Sequence, residues 1–353
     1  MKVMITGGAG FTGSALVRHL DGCADIEIVV VDCFTYAANP ASLEPLVQRG
    51  DIRVVRQDIC DLHAVLELVT RERPDAIMHL AAESHVDRSI TGSAPFIETN
   101  IVGTWVLLEA SRALLASLGE AKAEAYRFLH VSTDEVFGSL GADGAFSEST
   151  PLDPSSPYSA SKAAADHLVM ASSRTYGFPV LLTNCSNNYG PRQFPEKLIP
   201  LMILNGLEGK PLPVYGDGLN VRDWLHVEDH ARALELVLRK GRPGERYAIG
   251  ARSERRNIDL VKQICDRLDK VAPPLARPRR ELIGYVPDRL GHDRRYAIDP
   301  SKIERELGWS CSAGFEGGID ATIDWYLNNR EWWAPLRANS GGPAPRALAA
   351  AGT

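Results

Sequence analysis

The stretch "VMITGGAGFTGSALVRHL", residues 3–20, joins an apolar run to a helical segment through a glycine-rich turn. Its glycines, Gly7, Gly8, Gly10 and Gly13, fit G-x-G-x-x-G when read from Gly8 and G-x-x-G-x-x-G when read from Gly7. Glycine allows a tight turn and lets backbone N–H groups approach a pyrophosphate at the N-terminus of a helix. The stretch therefore predicts a dinucleotide-binding strand, turn and helix.

A carboxylate for the ribose follows at the expected distance. The run "IEIVVVD" ends at Asp32, about twenty residues after the glycines, where an acid can accept hydrogen bonds from ribose hydroxyls. Asp32 would repel a 2′-phosphate, and the next residues, "CFTYAAN", offer no arginine to neutralise one, so the sequence favours NAD over NADP. A second acid, Asp58, either reaches the adenine region of the cofactor or simply ends the third apolar run.

The first half of the chain repeats this alternation. Helix-length segments separate short, β-branched apolar runs, which are "KVMIT", "IEIVVVD", "IRVVRQDI", "DAIMHLAA", "YRFLHVST" and "VLLTNC". Continuously apolar strands joined by helices are typical of a parallel sheet that is covered on both faces. We therefore expect an α/β fold with a Rossmann-type doubly wound parallel sheet.

The pattern changes after residue 190, where Pro/Gly turns interrupt the helical runs. We assign residues 1–190 to an NAD-binding Rossmann domain whose sheet is completed by later segments. Residues 191–337 form mainly a smaller C-terminal substrate-binding lobe, interleaved with the sheet. Residues 338–353, "ANSGGPAPRALAAAGT", have the composition of a disordered tail.

Composition excludes several classes of protein. The 353 residues carry a formal net charge of −6, with acidic and basic residues interspersed, so the basic stripe that nucleic acid or an anionic membrane selects is missing. No apolar run reaches the length of a membrane span, and the N-terminus lacks signal-peptide features. The six cysteines are scattered without C-x-x-C spacing, which is typical of reduced thiols. We expect a cytoplasmic protein with neither a nucleic-acid nor a membrane partner.

Two further segments carry residues that suit catalysis. "PYSASKAAADHL" places Tyr158 and Lys162 four residues apart, on one face of a helix, where an ammonium favours the phenolate and makes the tyrosine a base. The strand "YRFLHVST" ends in Thr133 and is followed by Asp134 and Glu135. These acids either are solvated at a strand end or, with split pKa values, act as an acid and a base.

Several motifs together resemble a known family. They are "TGGAGFTG", "LAAESHVDRSI", "STDEVFG", "YSASK", "NNYGP" and "RDWLHVEDHARAL". Over residues 1–330 the chain resembles the extended short-chain dehydrogenase/reductase superfamily and, within it, the dTDP-glucose 4,6-dehydratases. The most diagnostic element is the T-D-E triplet at residues 133–135, since related sugar epimerases usually carry Ser or Thr there without the Asp–Glu pair.

The resemblance implies a reaction and a homodimer. dTDP-glucose would be oxidised at C4 with NAD, lose water across C5–C6 and regain the hydride at C6. Tyr158 would take the C4 hydroxyl proton, Thr133 would hydrogen-bond the C4 oxygen, and Lys162 would hold the nicotinamide ribose. Glu135 would remove the C5 proton, and Asp134 in its acid form would protonate the departing C6 oxygen.

The resemblance also implies two sets of binding residues. Besides Gly7, Gly10, Gly13, Asp32, Asp58, Tyr158 and Lys162, the cofactor would contact Phe11, Thr12, Thr35, Ile59, Leu80, Ala81, Ala82, Thr99 and Asn188. The nucleotide sugar would contact Ser84, Thr133, Asn187, Lys197, Leu198, Pro213, Val214, Tyr215, Arg222, Asn257, Arg289 and His292. Arginines suit its diphosphate through their bidentate fork.

Other interpretations remain open at this point. The chain could be a dehydratase for another sugar nucleotide such as UDP-glucose, a C4 epimerase, or an NAD-binding protein without activity. The T-D-E triplet argues against the epimerase, and the complete set of reactive residues argues against lost activity. His226 and His230 in "HVEDH" have the spacing of metal ligands on a helix, but the chemistry needs no metal and we predict none.

Overall fold

A seven-stranded parallel sheet forms the centre of the computed structural model, which describes residues 1–312 and 314–339. The strand order is β10-β6-β5-β4-β1-β2-β3. The strands are β1 (Lys2–Thr6), β2 (Glu27–Asp32), β3 (Ile52–Arg56), β4 (Ala76–His79), β5 (Arg127–Thr133), β6 (Val180–Cys185) and β10 (Arg246–Ile249). Each neighbouring pair is parallel, as in Val3 opposite Ile28 and Met78 opposite Leu129. The predicted Rossmann-type α/β fold is therefore confirmed.

Helices cover both faces of this sheet, because its strands are apolar on both sides. One face packs against the helices at residues 11–21 and 227–240 through residues such as Leu16 and Leu234. The other packs against the helices at residues 62–72, 103–116 and 157–176 through residues such as Leu68 and Val169. The helices of the first half are α1 (Phe11–Asp21), α2 (Glu44–Arg49), α3 (Leu62–Glu72), α4 (Val86–Thr91), α5 (Ala94–Phe96), α6 (Gly103–Ala116), α7 (Glu120–Ala125) and α8 (Pro157–Tyr176).

The second half contributes both to the sheet and to a lobe with its own core. Its helices are α9 (Leu198–Glu208), α10 (Val227–Lys240), α11 (Asn257–Val271), α12 (Ser301–Leu307), α13 (Phe315–Asn328) and α14 (Arg330–Asn339). Its other strands are β7 (Asn187–Tyr189), β8 (Leu212–Tyr215), β9 (Val221–His226), β11 (Glu254–Arg256) and β12 (Ile283–Val286). They form a three-stranded sheet, β11-β9-β7, and a two-stranded parallel sheet, β12-β8. The lobe core packs α9, α11 and α13 around residues such as Ile203 and Ile264.

Strand β10 shows how the two halves interleave. It lies at residues 246–249, between the first and the later segments of the lobe, yet it pairs with β6 and completes the central sheet. Helix α10 also returns from the lobe and packs on α1. As a result, the carboxyl ends of β1, β2, β4 and β5 face the segments 186–222 and 287–293, which is where a ligand crevice is expected in an open parallel sheet.

Two predictions concern the ends and surfaces of the chain. Among the helices of the described part, none combines the length and apolar composition needed to cross a membrane. Helix α14 (Arg330–Asn339) includes residues 338–339 of the predicted tail, and residues 340–353 lie outside the described residues.

Candidate active site

The glycine loop between β1 and α1 is built by close backbone contacts. Gly7 has a positive φ of 71°, and a Cβ there would lie 2.6 Å from the backbone of Ala81. A Cβ at Gly13 would lie 2.1 Å from the Gly7 carbonyl oxygen. Gly10 begins α1 without a side-chain cap, so the first N–H groups of the helix point into the crevice without a side-chain acceptor of their own. This cradle fits the pyrophosphate of a dinucleotide.

Asp32 joins this loop to the end of β2. Its Oδ2 accepts a hydrogen bond from the Ala9 N–H at 2.9 Å, and its Oδ1 accepts one from the Phe34 N–H at 2.8 Å. Burial raises the pKa of Asp32, while these two donors act in the opposite direction. Each oxygen keeps a second lone pair, so the carboxylate fits the ribose hydroxyls as the sequence predicts.

The other predicted cofactor residues surround the same sheet edge. Asp58 is exposed after β3, and its Oδ1 accepts from the Cys60 N–H at 2.9 Å, whereas Ile59 is buried. Thr35 is exposed in the loop after β2, and Leu80, Ala81 and Ala82 follow β4. Phe11 and Thr12 begin α1, Thr99 lies in a π-helical turn (Ile97–Val102), and Asn188 lies in β7. The structure thus brings these residues from six segments of the chain to one edge.

The T-D-E triplet forms the end of β5 and the turn after it. Thr133 is the last residue of the strand and caps a 3₁₀ turn, Asp134–Phe137. Its hydroxyl accepts from the Glu135 N–H at 3.2 Å and donates to Asp134 Oδ1 at 3.2 Å. Asp134 is 1% exposed and Glu135 is half-buried, so these acids are not the solvated pair of the simpler interpretation.

The surroundings of Asp134 and Glu135 shift the pKa values of the two acids to different extents. It raises the pKa of Asp134 well above its usual value, and the charge of Glu135 raises it further. Burial also raises the pKa of Glu135, but Arg289, Arg222 and Lys197 counteract this shift. Asp134 is therefore the more readily protonated of the pair, and Glu135 is the better base.

Tyr158 and Lys162 lie on α8 directly beside the triplet. The helix begins with a capping box at Ser156, so Tyr158 lies in its first turn. Lys162 Nζ donates to the Val131 carbonyl oxygen at 2.9 Å, and burial lowers its pKa to about 8. Burial and the charge of Glu135 raise the pKa of Tyr158 well above its usual value, so in the protein alone the expected phenolate is not favoured.

Three cations of the lobe face Glu135. Lys197 Nζ donates to the Ser84 carbonyl oxygen at 2.9 Å, and Arg222 donates to the Asp293 carbonyl oxygen at 2.9 Å while lying over the ring of Tyr296. Arg289 lies 3.7 Å from a carboxylate oxygen of Asp87. Neither Lys197 nor Arg222 forms an ion pair with a described residue within 4 Å, so both can bind the oxygens of a diphosphate.

The remaining substrate residues line the adjoining part of the lobe. Tyr215 donates to Asp87 Oδ2 at 3.1 Å, and its ring lies edge-on to His292 at 6.2 Å. Val214 was predicted to contact the nucleotide sugar, but its side chain is buried in the lobe core. Pro213 precedes it in β8, and Leu198 begins α9. The Oδ1 atoms of Asn187 and Asn257 are buried, and within residues 1–312 and 314–339 they lack a hydrogen-bond partner.

The two histidines of "HVEDH" have separate structural roles. His226 caps α10 by accepting from the Glu228 N–H at 3.3 Å. His230 Nδ1 lies 2.8 Å from Asn188 Oδ1, and burial lowers its pKa to about 3, so it is a neutral partner of a candidate cofactor residue. Across the described residues, no three His, Cys, Asp or Glu side chains cluster as metal ligands do.

Sequence reasoning missed a buried polar residue that supports the site. Asn100 Nδ2 donates to Ser161 Oγ at 2.8 Å and to the Glu83 carbonyl oxygen at 3.0 Å, and Ser161 Oγ donates to the Tyr158 carbonyl oxygen. Asn100 thereby connects the loop after β4 to the helix of Tyr158. The only sign in the sequence is an amide within the mainly apolar helical segment around "ETNIVG".

Comparison with known proteins identifies the family of this chain. Residues 4–322 match the family model described as GDP-mannose 4,6 dehydratase. A probable dTDP-glucose 4,6-dehydratase of Sinorhizobium fredii is 56% identical over 337 residues, covering 96% of each chain. A dTDP-glucose 4,6-dehydratase of Salmonella typhimurium is 55% identical over 341 residues, covering 94% of each.

A solved structure is similar over nearly its full length. The crystal structure of a dTDP-glucose 4,6-dehydratase from Streptomyces venezuelae, with NAD and TYD bound, is 47% identical. It superposes with a TM-score of 0.86 and covers 95% of this chain and 100% of its own. With an identity of more than half to curated relatives over nearly the whole chain, the protein belongs to the dTDP-glucose 4,6-dehydratase family.

Proposed function

We propose that this protein dehydrates dTDP-glucose to dTDP-4-keto-6-deoxy-glucose with NAD as a bound cofactor. The observation that carries the proposal is the placement of Thr133, Asp134 and Glu135 at the end of β5, beside Tyr158 and Lys162 on α8. Oxidation alone needs the tyrosine and the lysine. The additional acid and base are needed only if water is eliminated. Relatives of the same name support the substrate.

The order of the steps follows from the acidity of the sugar. Neither the C5 hydrogen nor the C6 hydroxyl of a hexose is activated, but a ketone at C4 makes the C5 proton acidic. NAD, when bound, supplies the acceptor that takes the C4 hydride and returns it to C6, and its oxidised ring carries a positive charge that favours a phenolate at Tyr158. Tyr158 accepts the C4 hydroxyl proton, while the Thr133 hydroxyl hydrogen-bonds the C4 oxygen.

The elimination uses the two acids in different protonation states. Glu135, whose charge three cations support, removes the C5 proton. Asp134, whose pKa is raised by burial, donates its proton to the departing C6 oxygen. General acid and base groups of this kind each contribute about 10²–10⁴-fold to the rate. Lys197, Arg222 and Arg289 bind the diphosphate and so hold the sugar between these groups.

Incubation with dTDP-glucose tests this function. Mass spectrometry should show a product that is lighter by one water, with the C4 hydrogen recovered at C6 and a solvent hydrogen at C5. No net NADH should accumulate. A matched incubation with UDP-glucose addresses the nucleobase. Conversion of UDP-glucose alone would contradict the substrate, and an isomerised sugar of unchanged mass would contradict the dehydration.

We also propose that the protein is a homodimer. Three large apolar side chains on the segment that leads into α6 are exposed: Ile97 (50%), Val102 (39%) and Trp105 (43%). Apolar patches of this kind mark interaction sites, and a second copy would cover them. Light scattering should give twice the mass of one chain, and Trp105→Glu should shift it towards the monomer. An unchanged dimer in that variant would place the interface elsewhere.

We further propose that the protein acts in the cytoplasm. The six cysteines are all free thiols, and a reducing compartment preserves that state. Fractionation of the source cells, with antibody detection, should place the chain in the cytoplasmic fraction. Recovery from a secreted or periplasmic fraction would contradict this.

A further inference from the structure

A buried acid behind the catalytic strand has no part in the steps above. Asp166 is 0% exposed and lies on α8, one turn after Lys162, so the two side chains share a face of the helix. A carboxylate in this position costs free energy unless it is hydrogen-bonded and paired with positive charge. Its partners therefore indicate its role.

One oxygen of Asp166 is linked to the catalytic turn through Asn184. The Asn184 Nδ2 donates to Asp166 Oδ2 at 3.1 Å and to the carbonyl oxygen of Thr133 at 3.0 Å. Asn184 lies on β6 and is also 0% exposed, so this connection is shielded from solvent. The amide joins the helix that carries Tyr158 to the strand end that carries Thr133.

The other oxygen faces β5 and the lysine. Asp166 Oδ1 lies 3.4 Å from His130 Nε2, and Lys162 Nζ donates to the next residue of the same strand, Val131. Burial, with the charge of Lys162, lowers the pKa of His130 to about 4, so the imidazole is neutral. Burial alone would raise the pKa of Asp166, but His130, Lys162 and Arg246 bring it below its usual value, so Asp166 is an anion.

This anion is the main support for the charge of Lys162. Burial lowers the pKa of Lys162 to about 8, and Asp166 contributes the largest opposing effect. The titratable and charged groups that act on the pair come from β4, β5, β6 and β10, and they are His79, His130, Cys185 and Arg246. Tyr158 lies one turn before Lys162 on α8. Arg246 approaches Asp166 Oδ2 to 3.9 Å from the rim of a surface cavity of about 650 Å³.

We propose that Asp166 is a positioning residue of the active site, which fixes Thr133 through Asn184 and keeps Lys162 in its ammonium form. The inference rests on the proposed function, because that function gives Thr133 and Lys162 their tasks. Asp166 itself lies behind the strand and contacts neither the crevice nor the three lobe cations that face the diphosphate. Its removal should therefore change the rate and its pH dependence rather than substrate affinity.

Asp166→Asn tests the proposal, because asparagine keeps the shape and removes the charge. Activity needs the ammonium of Lys162, and without the nearby anion that ammonium loses its proton at a lower pH. We expect kcat with dTDP-glucose to fall about tenfold or more at neutral pH, and the alkaline limb of the kcat profile to move down by about one pH unit. KM should stay within about twofold, because the residue does not bind the substrate.

Two further variants complete the design. Glu72→Gln is the matched control, since Glu72 is a buried acid at the opposite edge of the sheet, paired with Arg53 and Arg71, and the variant should keep the wild-type pH profile. Arg246→Gln removes a cation instead of an anion and should move the alkaline limb upward. If Asp166→Asn does not fold, Arg246→Gln tests the effect of the charges around Lys162 in its place, because Arg246 lies at the surface cavity.

The outcomes separate this inference from the function on which it rests. If the wild type dehydrates dTDP-glucose but the alkaline limb of Asp166→Asn stays in place, the positioning role is wrong and the function stands. A downward shift in Arg246→Gln would also contradict the role. If the wild type leaves dTDP-glucose unchanged, the proposed function fails and the inference fails with it.

Discussion

The ends of β2 and β5 each carry a buried aspartate at the same edge of the parallel sheet, but the surroundings of the two carboxyls differ. Asp32 accepts a backbone N–H on each oxygen, at 2.9 Å and 2.8 Å. Asp134 accepts from the Thr133 hydroxyl on Oδ1, and among the described residues no donor reaches its Oδ2. Burial raises both pKa values, but only Asp32 has backbone donors that oppose the shift.

The proposed function gives Asp32 a binding role and Asp134 a reacting role, and this difference supports that assignment. A carboxylate that is held by backbone N–H groups stays charged and can orient ribose hydroxyls without changing protonation state. A carboxyl that lacks such donors and lies next to Glu135 favours its protonated form and has a proton to give. Local donors and the neighbouring Glu135 thus make the same residue type suitable for two different roles at the same edge of the sheet.

Among the variants that test this comparison, Glu135→Gln should show the largest loss of activity. Glutamine keeps the size of the side chain but cannot accept the C5 proton, so elimination should fall by about 10⁴-fold. Oxidation at C4 does not need this base and should remain visible as reduced cofactor in a single turnover. Rapid-mixing absorbance and mass spectrometry measure the two steps. Glu72→Gln serves again as the control, and unimpaired elimination in Glu135→Gln would exclude Glu135 as the base.

Asp134→Asn should lower kcat by about 10²–10³-fold, less than the previous variant, because the amide can still hydrogen-bond the C6 oxygen. Although the variant loses activity, its stability relative to the wild type should increase as the pH is raised. The raised pKa means that the folded state binds the proton more tightly, so the free energy of unfolding of the wild type decreases as pH rises through the range between the unfolded and folded pKa values.

Chemical denaturation at two pH values measures this second effect. Asparagine does not titrate, so the variant should gain stability over the wild type as the pH is raised, and the two should converge in acid. Loss of activity together with higher stability is the signature of an acid whose environment disfavours its charged form. A variant that is less stable than the wild type at alkaline pH would show that Asp134 is held as an anion, like Asp32.

The α/β fold and the parallel sheet could be predicted because they depend on local signals. The glycine loop must have no Cβ at Gly7 and Gly13, and the apolar runs alternate with helices at a regular period. The return of β10 to the sheet could be anticipated only in outline, because residues 246–249 carry no local signal that distinguishes them from a lobe strand. Long-range pairing of this kind depends on packing that a single segment does not encode.

The chemistry of the candidate site was only partly predictable. The spacing of Tyr158 and Lys162 and the T-D-E triplet are visible in the sequence, and their assigned roles stay predictions. Asn184 and Asp166 could not be identified, because their importance comes from contacts between β6, α8 and β5 that are distant in the chain. The raised pKa of Tyr158 was also missed, because it results from burial beside Glu135 and not from helix spacing.

Asp32→Asn should act on cofactor affinity and leave the chemical step nearly intact. Replacing a charged acceptor for the ribose hydroxyls by a neutral one should weaken NAD binding by about 10- to 100-fold, equivalent to roughly 1.5–3 kcal/mol. At saturating NAD, kcat should stay within about threefold, because Asp32 does not contact the reacting atoms. Tryptophan quenching and initial rates measure the two quantities. A large loss of kcat at saturating NAD would show that Asp32 also takes part in the chemical step, as is proposed for Asp134.

Asp58→Asn should give the smallest effect and decides the alternative that the sequence left open at the end of β3. The side chain is exposed, and its Oδ1 already accepts from the Cys60 N–H, which an asparagine oxygen can also do. If the other oxygen of Asp58 accepts from the adenine amino group, Asp58→Asn replaces that oxygen by an NH2 group. NAD affinity should then fall by about two- to tenfold, in line with a single hydrogen bond of about 0.5–1.5 kcal/mol. Affinity for an NAD analogue without that amino group should not change between wild type and variant. Equal NAD affinity in both proteins would show that Asp58 only terminates the strand, and that the carboxylate at the end of β2 is the one that selects the cofactor.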